Sequence, residues 1–563
     1  MRRLFPVLAL ISVLTLPALA APAAHGTEER IDLDMLTRIR AEGLERSQVM
    51  DTLFHLTDVI GPRLTGSPQA KEANRWTRQQ LADWRLANAH LEPFPFGRGW
   101  SFRRVAVRLV APREAPLLAF PEAWTPGTQG PVRGPAMRVK IESEKDFDAF
   151  RGKLAGKVLL LDEPRELKEA EGSDFKRYSE AALDELARYE APPDRSDFRA
   201  RAIARRQLRK AMAGFLTTEK ALATISVSTR ESGVVGVTAG GSWEPGGGSS
   251  GVPGLVMASE AYDSLARLLA DGQPVEVEID VDSRFHDDGD PAFNTVAEIP
   301  GGDLRGELVM AGAHLDSWHA GTGATDNAAG CAVVMEAARI LEAVGAKPRR
   351  TIRVALWTGE EEGLLGSYYY VKDHFASRPE SADPAQKLLP PPLRDPTWPL
   401  QVKPEHAKLA AYFNLDNGSG KIRGIYAEND AAVKPIFEAW LEPLRDLGAE
   451  TVSLRSTGGT DHVPFERAGL PGFQFIQDEL DYSSRTHHTN LDVYDRVRAA
   501  DLKQAAVVLA SFLYDAAMRP APLPRKPLPT EPPKKKKPDG ASTSPAAAPA
   551  RVPPPAPPPG GRG

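Results

Sequence analysis

The runs ELVMAGAHLD (307–316), TIRVALWTGEE (351–361) and LAAYFNLDNG (409–418) decide the fold. Each is a short, almost unbroken apolar stretch that ends in a polar, turn-forming cluster, as strands buried on both faces do. NTVAEIPG (294–301) adds a further strand in front of them. Between the strands lie helical patterns: Asp326 opens an Ala-rich helix reaching to about Val344, and LLGSYYYVKDHF (364–375) reads as another. Strand, loop and helix alternating at this length predict an α/β domain, a mostly parallel sheet sandwiched by helices. In such sheets ligands bind at the carboxyl ends of the strands. That is where this sequence places His314, Glu360 and Asp416.

Working outward, residues 31–91 read as helical, including LADWRLANAHL (81–91), with the turn-rich loop GPRLTGSP (61–68) between two helices. RRVAVRLVAP (103–112) reads as a strand of the same domain. From 113 to 290 the character changes to short strand candidates, GKVLLLD (156–162), GVVGVTAG (233–240) and PVEVEIDVD (274–282), interrupted by a charged helical piece at 166–224. This region is expected to be an inserted β-rich domain that walls the cleft and shapes which substrates enter. The division is therefore 1–20 signal peptide, 21–112 first part of the catalytic domain, 113–290 insert, 291–518 catalytic domain and 519–563 tail. Arg2 and Arg3, the apolar run 4–16 and Ala18-Leu19-Ala20 have the three-part pattern of a secretory signal, too short for a comfortable membrane span. An exported protein, periplasmic or extracellular, is expected. The Pro-, Ala- and Lys-rich tail, with KKKK at 534–537, is expected to be disordered.

The net charge of -5 over 563 residues gives no reason to expect nucleic acid as a partner, and no stable membrane span is expected. The single cysteine, Cys331, excludes an intrachain disulfide and sits in an apolar helix, as a small buried side chain would.

Five motifs carry the chemistry: AHLDSW (313–318), GATDNAAG (323–330), GEEEGLLGS (359–367), FNLDNGSG (413–420) and HHTNLD (487–492). His314 offers an imidazole lone pair, and Asp316 stands near enough to accept its other ring N–H. Asp326 could serve as an ordinary helix N-cap, but its company favours a shared metal-binding carboxylate. Adjacent acids on an extended segment point to opposite sides, so one Glu of the 360–362 run can bind metal while its neighbour reaches a water. Asp416 ends a strand. His319 and His487 read as loop and surface histidines. Two histidines and three carboxylates suit a pair of zinc ions, with one acid left as a base.

This constellation resembles the co-catalytic zinc exopeptidases of metallopeptidase family twenty-eight, which include leucyl aminopeptidases and glutamate carboxypeptidases. The resemblance runs from about residue 60 to 513 and includes GPRLTGSP. It implies two zinc ions, one on His314, Asp326 and Asp416 and the other on Asp326, Glu361 and His488. It makes Glu360 the general base and Glu362 the variable position. It implies the zinc-exopeptidase (phosphorylase/hydrolase-like) fold, and that 113–290 is a protease-associated insert. TDHVPF (460–465) resembles a segment near the site in relatives, which makes Asp461 and His462 candidates for supporting or transition-state roles, with Tyr482 a further one. Peptides are the expected substrates, and a homodimer is compatible with the family. Two competing readings are a glutaminyl-peptide cyclotransferase on a related fold and a non-catalytic binding module. The first typically holds one zinc, and the second loses ligands that this chain keeps.

Overall fold

A computed structural model describes residues 29–166, 172–192, 196–244, 251–287 and 289–533. The signal pattern at 1–20 and the Lys run at 534–537 lie outside the described residues.

The catalytic region is built on an eight-stranded sheet in the order Ala87–Phe94, Ala292–Ile299, Arg350–Trp357, Leu304–His314, Leu409–Asn414, Gly472–Gln477, Ile422–Tyr426 and Thr451–Ser453. The four central strands run parallel, and antiparallel pairs flank them. The register sets Gly312 beside Asn414 and His314 beside Trp357, so the chains leave the sheet together at one edge. On one face pack helices Leu33–Glu45, Ala329–Ala343 and Ala499–Met518. The Ala-rich composition of the second allows this close approach, and thirteen of its residues are buried, Cys331 among them. On the other face Leu365–His374 and His462–Arg467 close over Trp357, Tyr412 and Phe465.

A second eight-stranded sheet runs Ala115–Pro116, Gly99–Ala111, Glu276–His286, Val132–Arg138, Val158–Leu160, Ala223–Val227, Gly254–Met257 and Ala119–Pro121. It has its own core beneath helix Ser259–Ala270. Its long strand Gly99–Ala111 contains the stretch expected to belong to the catalytic sheet, so this sheet begins ahead of residue 113. The strand pairs throughout with Glu276–His286 and shares the core through Val107 and Leu109.

Other elements depart from the sequence reading. The helix expected through residue 91 stops at Asp83, where Trp84 and a positive-φ Arg85 turn the chain into strand Ala87–Phe94. Tertiary pairing with Ala292–Ile299 overrides the local helical spacing there. GVVGVTAG is not a ladder strand but an extended segment docked elsewhere. The charged piece resolves into helices Glu180–Ala187 and Ser196–Thr218, and Thr224 is already in a strand. The tail expected to be disordered from 519 is docked at its start. Leu523 is buried, Arg525 donates to the carbonyls of His406, Ala407 and Leu409, and Lys526 pairs with Glu466 at 2.7 Å.

Candidate active site

The parallel strand ends deliver three of the five expected ligands, His314, Glu361 and Asp416, to one point, and Asp326 and His488 reach it from longer loops. His314 terminates its strand, with Nε2 3.2 Å from Asp326 Oδ1 and 3.3 Å from Asp416 Oδ1. His488 Nε2 lies 3.3 Å from Asp326 Oδ2 and 3.0 Å from Glu361 Oε2. The five side chains thus form two triads, His314–Asp326–Asp416 and Asp326–Glu361–His488, with one oxygen of Asp326 facing each; Glu360 also clusters with His314 and Asp416, and His487 with Asp326 and His488, their ligand atoms within 4.8 Å of one another. Asp326 Oδ2 and Glu361 Oε1 are buried and have no hydrogen-bond partner. Such a crowd of buried acids is costly without compensating positive charge. Neutral imidazoles and carboxylates at these separations, with orphaned oxygens turned inward, are a donor set that suits zinc.

The surroundings fix each ligand. His314 Nδ1 sits 3.0 Å from the backbone carbonyl of Asp316 and 3.6 Å from its carboxylate, so the carbonyl orients the ring. The Asp316 carboxylate accepts instead from the backbone N–H of Glu360 at 3.3 Å, that of Glu361 at 3.2 Å and the Thr65 hydroxyl at 3.0 Å. It is a positioning group for the glutamate run. That run is a turn rather than an extended segment. Gly359 has φ of 82°, and the N–H groups of Gly363 and Leu364 both donate to Glu360 O. Glu360 and Glu361 therefore face the same cleft, contrary to the alternation expected of a strand. Asp326 precedes the Ala329–Ala343 helix in non-helical geometry, and its N–H and that of Thr325 donate to Asp492.

Arg63 of the GPRLTGSP loop is fully buried and spans both ligand loops. Its guanidinium donates to the carbonyls of Leu315, Leu56, Gly61, Thr322 and Gly323 at 2.8–3.0 Å. Gly323 is needed beside it. A Cβ there would sit 2.3 Å from Ser317 Cβ and 2.8 Å from Arg63 Nη2, on a backbone with φ of +62°.

The insert holds the His488 loop from two sides. Val237 N–H donates to His488 O at 2.9 Å, and Asn490 pairs with Val235 through both its backbone N–H and its side chain. From the charged piece, Lys176 and Leu480 exchange backbone bonds at 2.7 Å, while Arg177 spans the buried Asp478 and Asp501 at 2.9 and 2.7 Å. The insert was expected to shape substrate entry alone; it also holds the loop that carries His488, a candidate ligand. No sequence signal announced this, because the bonds are mostly to backbone.

The remaining expected residues are sorted by the cleft, a cavity of about 360 Å³. Glu360, Tyr482 and four members of the cluster, Asp326, Glu361, Asp416 and His488, line it, as does His487. His487 is therefore not a plain surface residue. Its ring stacks on His488 at 3.7 Å, and its Nε2 lies 4.0 Å from Asp326. Asp461 is fully buried behind the wall and accepts from the Ser367 hydroxyl. His462 is not among the residues lining the cleft; it is buried with Nε2 3.5 Å from Glu428. His319 is a buried packing residue, set edge-on to Trp100 and Phe102 and hydrogen-bonded to Pro121 O. Glu362, the variable position, is almost wholly buried.

Electrostatics follow from burial. It pushes the carboxyls of Glu360 and Glu361 well above the ordinary range, and neighbouring acids add to the push, whereas His314 opposes it. Burial alone would depress His314, but the carboxylates of Asp416 and Glu360 carry it well above its usual value. Burial and the neighbouring His488 bring His487 down to about 4.

A sheet with a carboxylate–histidine cluster of this kind at its carboxyl edge defines a metal-dependent peptidase. Residues 294–513 match the model of peptidase family M28. It is similar to bovine carboxypeptidase Q (Bos taurus), 26% identical over 484 residues that cover 86% of this chain and 88% of the relative. Its fold is similar to a crystal structure of an M28 peptidase precursor from Shewanella amazonensis, with a TM-score of 0.60 at 23% identity over 88% of this chain and 99% of that one. A zinc aminopeptidase from Bacillus subtilis gives a TM-score of 0.51 at 19% identity over 84% and 94%.

Proposed function

We propose that this protein is an exported zinc exopeptidase that holds two zinc ions and hydrolyses terminal peptide bonds of short peptides. The convergence of His314, Asp326, Glu361, Asp416 and His488 into two triads sharing Asp326 carries this reading. One zinc would be held by His314, Asp326 and Asp416, the other by Asp326, Glu361 and His488. Zinc bound there supplies Lewis acidity to a scissile carbonyl and to water.

The chain's own groups do the rest. Glu360 faces the cleft beside His314 and Asp416 but is not needed to complete either set of three ligands, so its carboxylate is placed to take a proton from the attacking water and deliver it to the leaving amine nitrogen. Asp316 keeps Glu360 and Glu361 in place through their backbone N–H groups. Tyr482, on the cleft wall, offers a phenolic O–H to the carbonyl oxygen as charge builds there. Phe198 and Arg199 of the insert helix line the cleft with Leu393, which suits a chain terminus rather than the middle of a long polypeptide. Export rests on the N-terminal signal pattern, and no helix among the described residues is long and apolar enough to cross a membrane.

The test is elemental analysis of the purified protein with a dipeptide panel. Two zinc ions per chain and hydrolysis abolished by chelation are expected. A protein that carries only trace metal, gains none on zinc addition and cleaves nothing would overturn the reading.

A further inference from the structure

Beside the catalytic cleft lies a second cavity of about 350 Å³, joined to it through Glu361, Gly363 and Leu393, which line both. Its far wall is the helix Ser196–Thr218, which contributes Arg205, Arg206, Arg209 and Lys210. Elsewhere in the second sheet, arginines are matched to acids: Arg103 to Asp282, Arg104 to Asp280, Arg108 to Glu278 and Arg133 to Glu276. None of the four cations on the helix is in an ion pair among the described residues. Arg206 donates to Leu388 O at 3.0 Å with its guanidinium 5.3 Å from the Trp243 ring, and Arg209 donates to Ala239 O. One carbonyl accounts for a minority of an arginine's five donors. Arg206 is partly buried, and burial with the neighbouring Arg209 pulls its pKa down against the opposing charge of Glu244; Arg209 in turn feels the buried Glu122, so Arg205 and Lys210 are the cations of the helix wall furthest from these acids.

The acids on this cavity are Glu244, Glu361 and Glu362. Glu361 belongs to the metal-type cluster, and Glu362 adjoins it. Glu361 and Glu362 make the end nearest the chemistry acidic, while Glu244 stands by Arg206 on a helix wall that remains net cationic. A peptide whose reacting bond lies in the cleft would extend a negative group toward the arginines. Each cavity is at the small end of ligand pockets, roughly 300–1,000 Å³, so the peptide must be short.

Resting on the peptidase reading, we propose that Arg205, Arg206, Arg209 and Lys210 form a carboxylate-binding subsite that selects short peptides with a negative group beyond the scissile bond. The group is either the free C-terminal carboxylate or an acidic side chain, which share one chemistry. Planar guanidinium groups bind carboxylates through paired N–H donors.

The test uses zinc-loaded full-length protein with Leu-Ala, Leu-Ala amide and Leu-Glu amide. The wild type is expected to favour Leu-Ala over its amide by about tenfold or more in kcat/KM, chiefly through KM. Arg205→Gln with Lys210→Gln should cut that ratio about tenfold. These two side chains have no packing or hydrogen-bonding role among the described residues, so the variant should fold. Rescue of cleavage in Leu-Glu amide assigns the subsite to an acidic side chain, and failure of rescue assigns it to the C-terminus. A wild-type ratio near one, or an unchanged ratio in the variant, overturns the proposal. If no peptide is cleaved, the peptidase reading fails by itself. Calorimetric binding of N-acetylalanine against its amide then decides the subsite: weaker binding of the acid by the variant supports it, and equal binding of acid and amide by the wild type refutes it.

Discussion

Replacing Arg63 with Met should loosen both loops that carry the ligands while leaving the sheet intact. Arg63 donates to five carbonyls, but two of them keep another partner. Leu56 O also accepts from Gly61 N–H, and Gly323 O from Ala328 N–H. Leu315 O, Gly61 O and Thr322 O have no other protein donor among the described residues. Hydrogen bonds to a charged donor are worth about 1.5–3 kcal/mol each. Water can reach Gly61 O and Thr322 O, which are only partly buried, and removing a buried cation recovers some desolvation energy. The net local loss is then about 3–5 kcal/mol. Hydrogen exchange of peptides spanning 313–328 reads this directly, without assuming that a two-sheet protein unfolds in one step. Exchange should accelerate about 10²–10⁴-fold there and little in Glu276–His286, and zinc affinity against a competing chelator should fall at least about tenfold. Arg63→Lys should lie between, because a single ammonium cannot span the same acceptors. Acceleration below about fivefold with unchanged zinc affinity would refute the assignment of Arg63 as the tie between the two loops.

Three further outcomes are expected. Glu360→Gln should keep zinc and fold but lose about 10²–10⁴-fold in turnover, measured on a dipeptide; near-normal turnover would move the base to another acid of the run. His488→Ala should weaken zinc binding far more than His487→Ala, because His488 contacts both Asp326 and Glu361 whereas His487 reaches only Asp326 at 4.0 Å; equal losses would contradict the pairing. Burial, with Glu466 adding, pushes Glu428 up to about 9, so it folds protonated at neutral pH. A raised carboxyl pKa stabilises in full below the unfolded value near 4.5 and loses that contribution as pH rises toward 9. Glu428→Gln should therefore match the wild type in denaturant midpoint at pH 4 and exceed it by ~3 kcal/mol at pH 7; a gap independent of pH would show that Glu428 folds ionised.

The core of the fold and the clustering of the candidate ligands were legible for a common reason. Strands buried on both faces must be apolar, and the polar clusters where they end, at His314, Glu360 and Asp416, stand out against them. Features that depend on distant partners were not legible. Residues 84–94 keep helical spacing yet pair as a strand, since the edge of Ala292–Ile299 offers a ladder. The GVVGVTAG segment has strand composition yet gives the N–H groups of Val235 and Val237 to the His488 loop rather than to a strand ladder. Arg63 sits in a loop of turn formers, where an arginine ordinarily faces solvent; its burial follows from carbonyls contributed by residues some 250 positions away. His462 has the residue type of a catalytic group, but its helix faces Phe465 and Pro464 into the core and carries the ring behind the cleft wall.

The central claim is that Asp326 is shared between two metals. Anomalous diffraction at the zinc edge from crystals of the zinc-loaded protein tests it most directly. The expected result is two peaks, one among His314, Asp326 and Asp416 and the other among Asp326, Glu361 and His488. A single peak, or a second peak held by His487 in place of His488, would contradict it.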